Sequence, residues 1–135
     1  MAKVINSSYL TKRHRYQIQT TIHEGALAVS GEISWPVIQF EKIQPMIAVE
    51  FKTLAAWVDQ RGGIVGHIKG VIITPEKSMM FSTTGAEVQC HFWETKDEPK
   101  DNGQIRLIGI VFNIPQLELE EKLMAIFDRL EKSRK

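Results

Sequence analysis

The sequence predicts an α+β domain, a mainly antiparallel five-stranded sheet with two helices packed on one face. Segments with an apolar residue at every second position recur along the 135 residues, and two other segments carry apolar residues at helical spacings of three and four. The order, strand-strand-helix-strand-strand-strand-helix, lacks the strict alternation of a parallel α/β sheet. A hydrophobic content of 43% suits one folded domain, which we place at 14–135 after a flexible basic arm at 1–13.

The first half of the domain is predicted as a hairpin followed by a helix. Apolar and polar residues alternate over 16–22 and again over 27–35, with a turn at Glu24-Gly25 between them. The helix body is predicted over about 44–60, because an apolar residue recurs every three or four positions there. Gly62-Gly63 ends that helix.

The second half is predicted as three strands and a helix. A glycine-rich strand at 63–73 leads through a proline turn at 74–77 into one long returning strand, 78–93, which is interrupted at Gly85. The charged segment 94–103 is predicted as an exposed loop, and the fifth strand follows at Gln104–Phe112. Asn113 is the predicted cap of the last helix.

The turn at 74–77 sets a register that brings polar side chains together. Closing it between Thr74 and Lys77 places Lys69 opposite Ser82, and His67 opposite Thr84, on one face of the sheet. The opposite face is then the core, because it carries the apolar residues Ile68, Ile72, Met79 and Phe81. His67 and Lys69 share the polar face, since side chains alternate along a strand.

A bulge near Gly85 is predicted from parity, that is, from which face of the sheet each alternate side chain of the long strand would take. An unbroken strand would bury Glu87, Gln89 and His91 in the core, at a high cost in free energy. One extra residue near Gly85 reverses the parity, places these three side chains on the polar face and turns Cys90 toward the core. The predicted ligand-binding residues are therefore His67, Lys69, Ser82, Thr84, Glu87 and His91.

The fifth strand is apolar on both faces, which predicts that both of its faces are covered. Ile108, Ile110 and Phe112 lie on the face that the two helices leave free. A second copy of the chain is the simplest cover, so these three residues are the predicted interface of a homo-oligomer, most simply a dimer.

Three functions stay open at this point. The preferred one is a self-associating ligand-binding or regulatory module in which Lys69 pairs with a small anionic ligand. The second is a small enzyme that uses His67 or His91 as general base. The third is a structural or partner-binding subunit without a small-molecule site. The sequence identifies no cofactor and no known family.

Several other kinds of site are disfavoured. His67, Glu87 and His91 offer nitrogen and oxygen ligands but not at a short metal-binding spacing, so no metal site is predicted. The glycines at 62–66 lead from a helix into a strand, which is the reverse of a phosphate-binding loop. A net charge of +1 gives little attraction for nucleic acid.

The compartment is predicted to be the cytoplasm, with no attachment to a membrane. The single cysteine, Cys90, excludes an intrachain disulfide, as is usual in a reducing environment. The first residues show no signal peptide, and the longest apolar run, 107–112, is far shorter than the roughly 20 residues that span a bilayer.

Overall fold

The computed structural model is a seven-stranded sheet with two helices, and it describes residues 3–7, 16–35, 37–96 and 103–133. The elements are β1 Lys3–Ser7, β2 Tyr16–His23, β3 Ala26–Ser34, α1 Phe40–Gln60, β4 Ile64–Ile73, β5 Lys77–Thr83, β6 Gln89–Glu94, β7 Gln104–Phe112 and α2 Gln116–Ser133. The sheet order is β1-β2-β3-β7-β4-β5-β6, and every neighbouring pair is antiparallel.

The predicted class and layer arrangement are confirmed, but the strand count of five is wrong. Helix α1 packs on β4 and β5, and α2 packs on β2, β3 and β7, so both helices cover the same face. One added strand is β1, which is formed by residues Lys3–Ser7 of the predicted arm and pairs with β2. The rest of the arm at 1–13 lies outside the described residues, as do residues 97–102 of the predicted loop.

The other added strand arises because the predicted long strand 78–93 is a hairpin. β5 ends at Thr83, the chain turns through 84–88, and β6 returns beside β5 with Ser82 opposite Gln89. Gly85 lies in this turn at φ +155°, a conformation that L side chains rarely adopt. The bulge predicted near Gly85 is therefore replaced by a true turn.

Cys90 is exposed, which contradicts its predicted burial in the core. It lies on the helix-covered side of β6, but β6 is the edge strand and extends beyond the cover that α1 provides. The Gln44 side-chain amide approaches its sulfur, with the nitrogen 3.9 Å away. The face of the sheet predicted for Cys90 was correct, and its exposure follows from the position of β6 at the edge of the sheet.

The core lies between the sheet and the two helices, and two glycines allow the helix layer to approach closely. A Cβ atom at Gly70 would stand 2.8 Å from Phe51 of α1, and one at Gly31 would stand 2.5 Å from Phe127 of α2. Real side-chain contacts at such distances require the neighbours to move. Both positions therefore need glycine for packing rather than for a special backbone angle.

The ends of the two helices meet beside the start of β4. Helix α1 begins at Phe40, before the predicted start, and contains Pro45 at an exposed position. Asn113 does not cap α2, since α2 begins at Gln116. With φ +59°, Asn113 instead donates its side-chain amide to the Gly62 carbonyl at 2.9 Å. This bond joins the end of α1 to the approach of α2.

Candidate functional site

The face opposite the helices, called the open face here, has an apolar centre. Ile108, Ile110 and Phe112 of β7 lie there, as the sequence predicts, and Phe112 stands opposite Ile64 of β4. Ile64 is 65% exposed and Phe112 is 38% exposed. We call the central group on this face the apolar band. It consists of Ile64, Val71, Met80, Ile108, Ile110 and Phe112.

Polar side chains border the apolar band on the side of β4 and β5. Lys69 stands opposite Ser82 on β5 and opposite Ile108 on β7, so the predicted pairing of Lys69 with Ser82 is confirmed. His67 stands opposite Ile110, two residues from Lys69 on the same strand and face. Gln89 of β6 extends the row beyond Ser82. Lys69, Ser82 and Gln89 therefore form one continuous polar row.

The other predicted ligand-binding residues lie away from that row. The β4–β5 ladder ends at Ile68 and Thr83, so the predicted pairing of His67 with Thr84 does not form. Thr84 and Glu87 are exposed in the turn at 84–88. The sequence placed them on a continuing strand, whereas the chain leaves the sheet there.

His91 is on the open face, as predicted, but opposite Met80. His67 and His91 are thus two strands apart, about 10 Å, as well as displaced along the strands. Within the described residues neither histidine makes a hydrogen bond or ion pair with a carboxylate. The two histidines do not form a joint site.

The sequence interpretation missed a polar cluster on the other side of the apolar band. Glu32 of β3 stands opposite Arg106 of β7, and the Arg106 Nε lies 3.1 Å from the Glu32 carboxylate. The buried Gln104 side chain donates to Glu32 at 2.9 Å and accepts from Arg106 at 3.1 Å. The sequence signal for this ion pair is one acidic residue on β3 and one basic residue on β7. These strands are far apart in the chain, so the sequence alone does not show that the two residues face each other.

Lys69 differs from Arg106 in its electrostatic surroundings. Arg106 is neutralised by Glu32, whereas Lys69 forms no ion pair with any residue of the described ranges. Its nearest cross-strand neighbours are an isoleucine and a serine. A lysine across the ladder from a serine has the chemistry to attract an anion, and the serine can add a hydrogen bond.

Residues 3–7, 16–35, 37–96 and 103–133 contain no group of three or more His, Cys, Asp or Glu side chains that could hold a metal ion. Neither α1 nor α2 combines the length and the apolar character that crossing a membrane requires.

The chain matches no known protein family, and no curated protein matches it. Among solved structures it is similar to the Zn(II)-bound YjiA GTPase from E. coli and to a triple mutant of that GTPase. Each comparison has 12% sequence identity and a TM-score of 0.48, and covers 76% of this chain. The chain spans 30% of the length of the GTPase.

Proposed function

We propose that the protein is a self-associating binding module in which a second copy covers the open face and a small anion neutralises Lys69. The observation that carries this proposal is the position of both helices on one face of the sheet, while residues 107–112 of β7 are apolar on both faces. Apolar side chains that remain in water forgo the free energy of burial, about 25 cal/mol per Å². A partner on the open face would recover part of it.

A second copy fits because the open face is arranged like an interface. The apolar band lies mainly on the central strands β7 and β4, and the polar residues of β2, β5 and β6 lie toward the edges of the sheet, as in the usual distribution of a protein interface. A two-fold axis through β7 would set band on band and rim on rim. Seven strands about 4.8 Å apart and about eight residues long present roughly 900 Å². A standard interface buries about 800 Å² on each partner.

The anion follows from the charge of Lys69. Covering the open face would remove water from an ammonium group that has no acidic partner within the described residues. Burying such a charge alone is costly, so an anion held by Lys69 and Ser82 would stabilise the assembled form. Ligand binding and self-association are therefore linked in this proposal.

Sedimentation velocity over a range of protein concentrations tests the interface. The wild-type chain should sediment as a dimer, and Ile110→Asp should sediment as a folded monomer, because a carboxylate would be buried in the apolar band. Val49→Asp is the matched control, since Val49 is 62% exposed on α1, away from the open face. A wild-type monomer at all concentrations, or a folded Ile110→Asp variant with unchanged mass, would contradict the interface.

A second series of sedimentation runs tests the anion. At equal ionic strength, phosphate should strengthen the wild-type dimer relative to chloride, whereas Lys69→Gln should show no difference. In chloride, Lys69→Gln should dimerise more tightly than the wild type, because it buries no charge. Lys42→Gln, an exposed residue of α1, should behave as the wild type does. An equal response to phosphate in Lys69→Gln would rule out this role of Lys69.

A further inference from the structure

The first residues of β4 lack a partner strand on one side. β4 begins at Ile64, but its pairing with β5 begins only at Ile68, opposite Thr83. Over Ile64–His67 the strand pairs with β7 alone, and the register shifts between Val65 and His67, where Gly66 forms a bulge. In the described part of the chain, no backbone hydrogen bond joins this stretch to the turn at 84–88. The backbone N–H and C=O groups of this stretch that face away from β7 therefore point toward a vacant strand position.

A groove of about 580 Å³ lies beside the first two residues of β4, between α1 and the turn at 84–88. Gly63, Ile64 and Val65 form one side, and the turn residues 84–86 form the other. Two small residues of α1, Ala55 and Ala56, line the groove next to the helix. The volume lies within the range of sites for small ligands, about 300–1,000 Å³. The groove thus combines a free strand edge with room for an added chain.

Two opposite charges stand along the helix side of the groove. Lys52 and Asp59 both line it, both are exposed, and neither forms a salt bridge within the described residues. They are seven positions apart on α1, which corresponds to about 10 Å along a helix. An extended chain of three residues also spans about 10 Å. The spacing of the two charges therefore matches the separation of the ends of a short peptide.

The charges also select a direction. Because α1 turns back into β4 at Gly62-Gly63, Asp59 lies near the first residue of β4, and Lys52 lies two helical turns further along. A peptide parallel to β4 would place its N-terminal ammonium at Asp59 and its C-terminal carboxylate at Lys52. We propose that this groove binds a short peptide with free termini, added to the sheet as an extended strand beside Ile64–His67.

The groove also restricts the side chains of the peptide. Successive side chains of an extended peptide point to opposite faces, so alternate ones would face Val65 and the two alanines of α1. That environment accepts small apolar side chains. Backbone hydrogen bonds to β4 would give most of the affinity without reading sequence, as in other cases of strand addition. The expected ligand class is therefore tripeptides and tetrapeptides of small apolar residues.

Titration with trialanine, followed by ¹H–¹⁵N NMR, tests this site on the whole chain. The amides of 64–67 and 84–86 should shift together, and those of 64–67 should become protected from solvent exchange. Lys52→Gln and Asp59→Asn should each weaken binding by up to about five-fold, the effect of one exposed ion pair. Lys42→Gln and Glu41→Gln, exposed residues in the first turn of α1, should bind as the wild type does.

Blocking the termini or filling the groove should oppose binding. Trialanine with an acetylated N-terminus and an amidated C-terminus should bind more weakly to the wild type, but equally well to the variant with both Lys52→Gln and Asp59→Asn. Ala56→Phe should abolish binding and keep the fold, because Ala56 is exposed at the groove. Equal affinity for free and blocked peptides, shifts confined to the open face, or undiminished binding by Ala56→Phe would overturn the proposal.

Discussion

The two faces of the sheet are built from alternate residues of the same strands, yet they are constrained differently. On the helix-covered face the packing leaves no space, so that Gly31 and Gly70 could not carry even a Cβ without moving Phe127 or Phe51. On the open face the side chains meet polar neighbours and solvent, and Ile64 and Phe112 of the apolar band are left exposed. The covered face therefore determines the fold, whereas the open face is free to be shaped by binding.

The largest expected difference comes from removing one phenylalanine on each face. Phe127 of α2 is 0% exposed, so Phe127→Ala should lower the free energy of unfolding by about 3–5 kcal/mol. Phe112→Ala on the open face should lower it by about 1 kcal/mol or less in the monomer, because part of the ring is already in water. Urea unfolding, followed by circular dichroism in the Ile110→Asp background, measures both.

The same two variants distinguish an effect on the folding of each chain from an effect on the association of two chains. In the wild-type background Phe112→Ala should weaken the dimer, whereas Phe127→Ala should destabilise each chain whatever the protein concentration. If Phe112→Ala cost as much as Phe127→Ala in the monomer, the open face would be part of the folding core. The distinction between the two faces would then be lost.

Replacing each of two adjacent threonines of β2 gives a smaller difference in the free energy of unfolding. Thr20 is fully buried and donates its hydroxyl to the Glu120 carboxylate of α2, which Gln116 also approaches at 3.0 Å. Thr20→Val removes this donor from a buried carboxylate, so it should cost about 1–3 kcal/mol of the free energy of unfolding. Thr21→Val makes the same change on the open face and should stay within about 0.5 kcal/mol of the wild type. Thermal unfolding compares the two variants, and similar losses would contradict the contrast.

The sequence predicted the covered face well because burial leaves a local pattern. Alternation along β2 and the helical spacing in α1 each follow from a few consecutive residues, and so does the turn that sets Lys69 opposite Ser82. Strand order is not local. β7 lies between β3 and β4, and nothing in the spacing of apolar residues specifies that arrangement.

The segment around Gly85 shows why a correct face can come with a wrong topology. A one-residue bulge and the observed hairpin both reverse the parity of the residues that follow. Either one keeps Gln89 and His91 out of the core. Parity alone cannot distinguish them, so the sequence located His91 on the right face but on a strand that was not foreseen. Of the six predicted ligand-binding residues, Lys69, Ser82 and His67 lie close to one another.

The pairing of Glu32 with Arg106 was beyond sequence reasoning for the same physical reason. Their ion pair depends on β3 lying beside β7, which is a contact between distant parts of the chain. The groove beside β4 depends on where β5 ends and on how α1 lies over the sheet. Neither feature follows from the order of residues within one element.

The smallest expected difference in the free energy of unfolding is between the loss of one charged residue in the helix layer and the loss of one on the open face. Arg129 of α2 forms a two-point contact with Glu50 of α1, whose side chain is only 11% exposed. Arg129→Gln should therefore cost about 0.5–1 kcal/mol, a modest value because Arg129 itself is half exposed. Lys69→Gln should stay within about 0.5 kcal/mol of the parent monomer, since Lys69 has no ion pair within the described residues.

The dependence of this effect on pH sharpens the comparison further. The hydrogen bond with Glu50 raises the pKa of Arg129, its burial opposes this, and the charges of Glu50 and Asp128 add to the rise. A raised pKa stabilises the folded state at every pH below the value in the unfolded chain, and the gain is lost only above it. The cost of Arg129→Gln should thus be the same at about pH 6 and about pH 9. Urea unfolding at both pH values checks this, and a cost that fell at the higher pH would contradict the assignment of the stabilisation to the ion pair of Arg129 with Glu50.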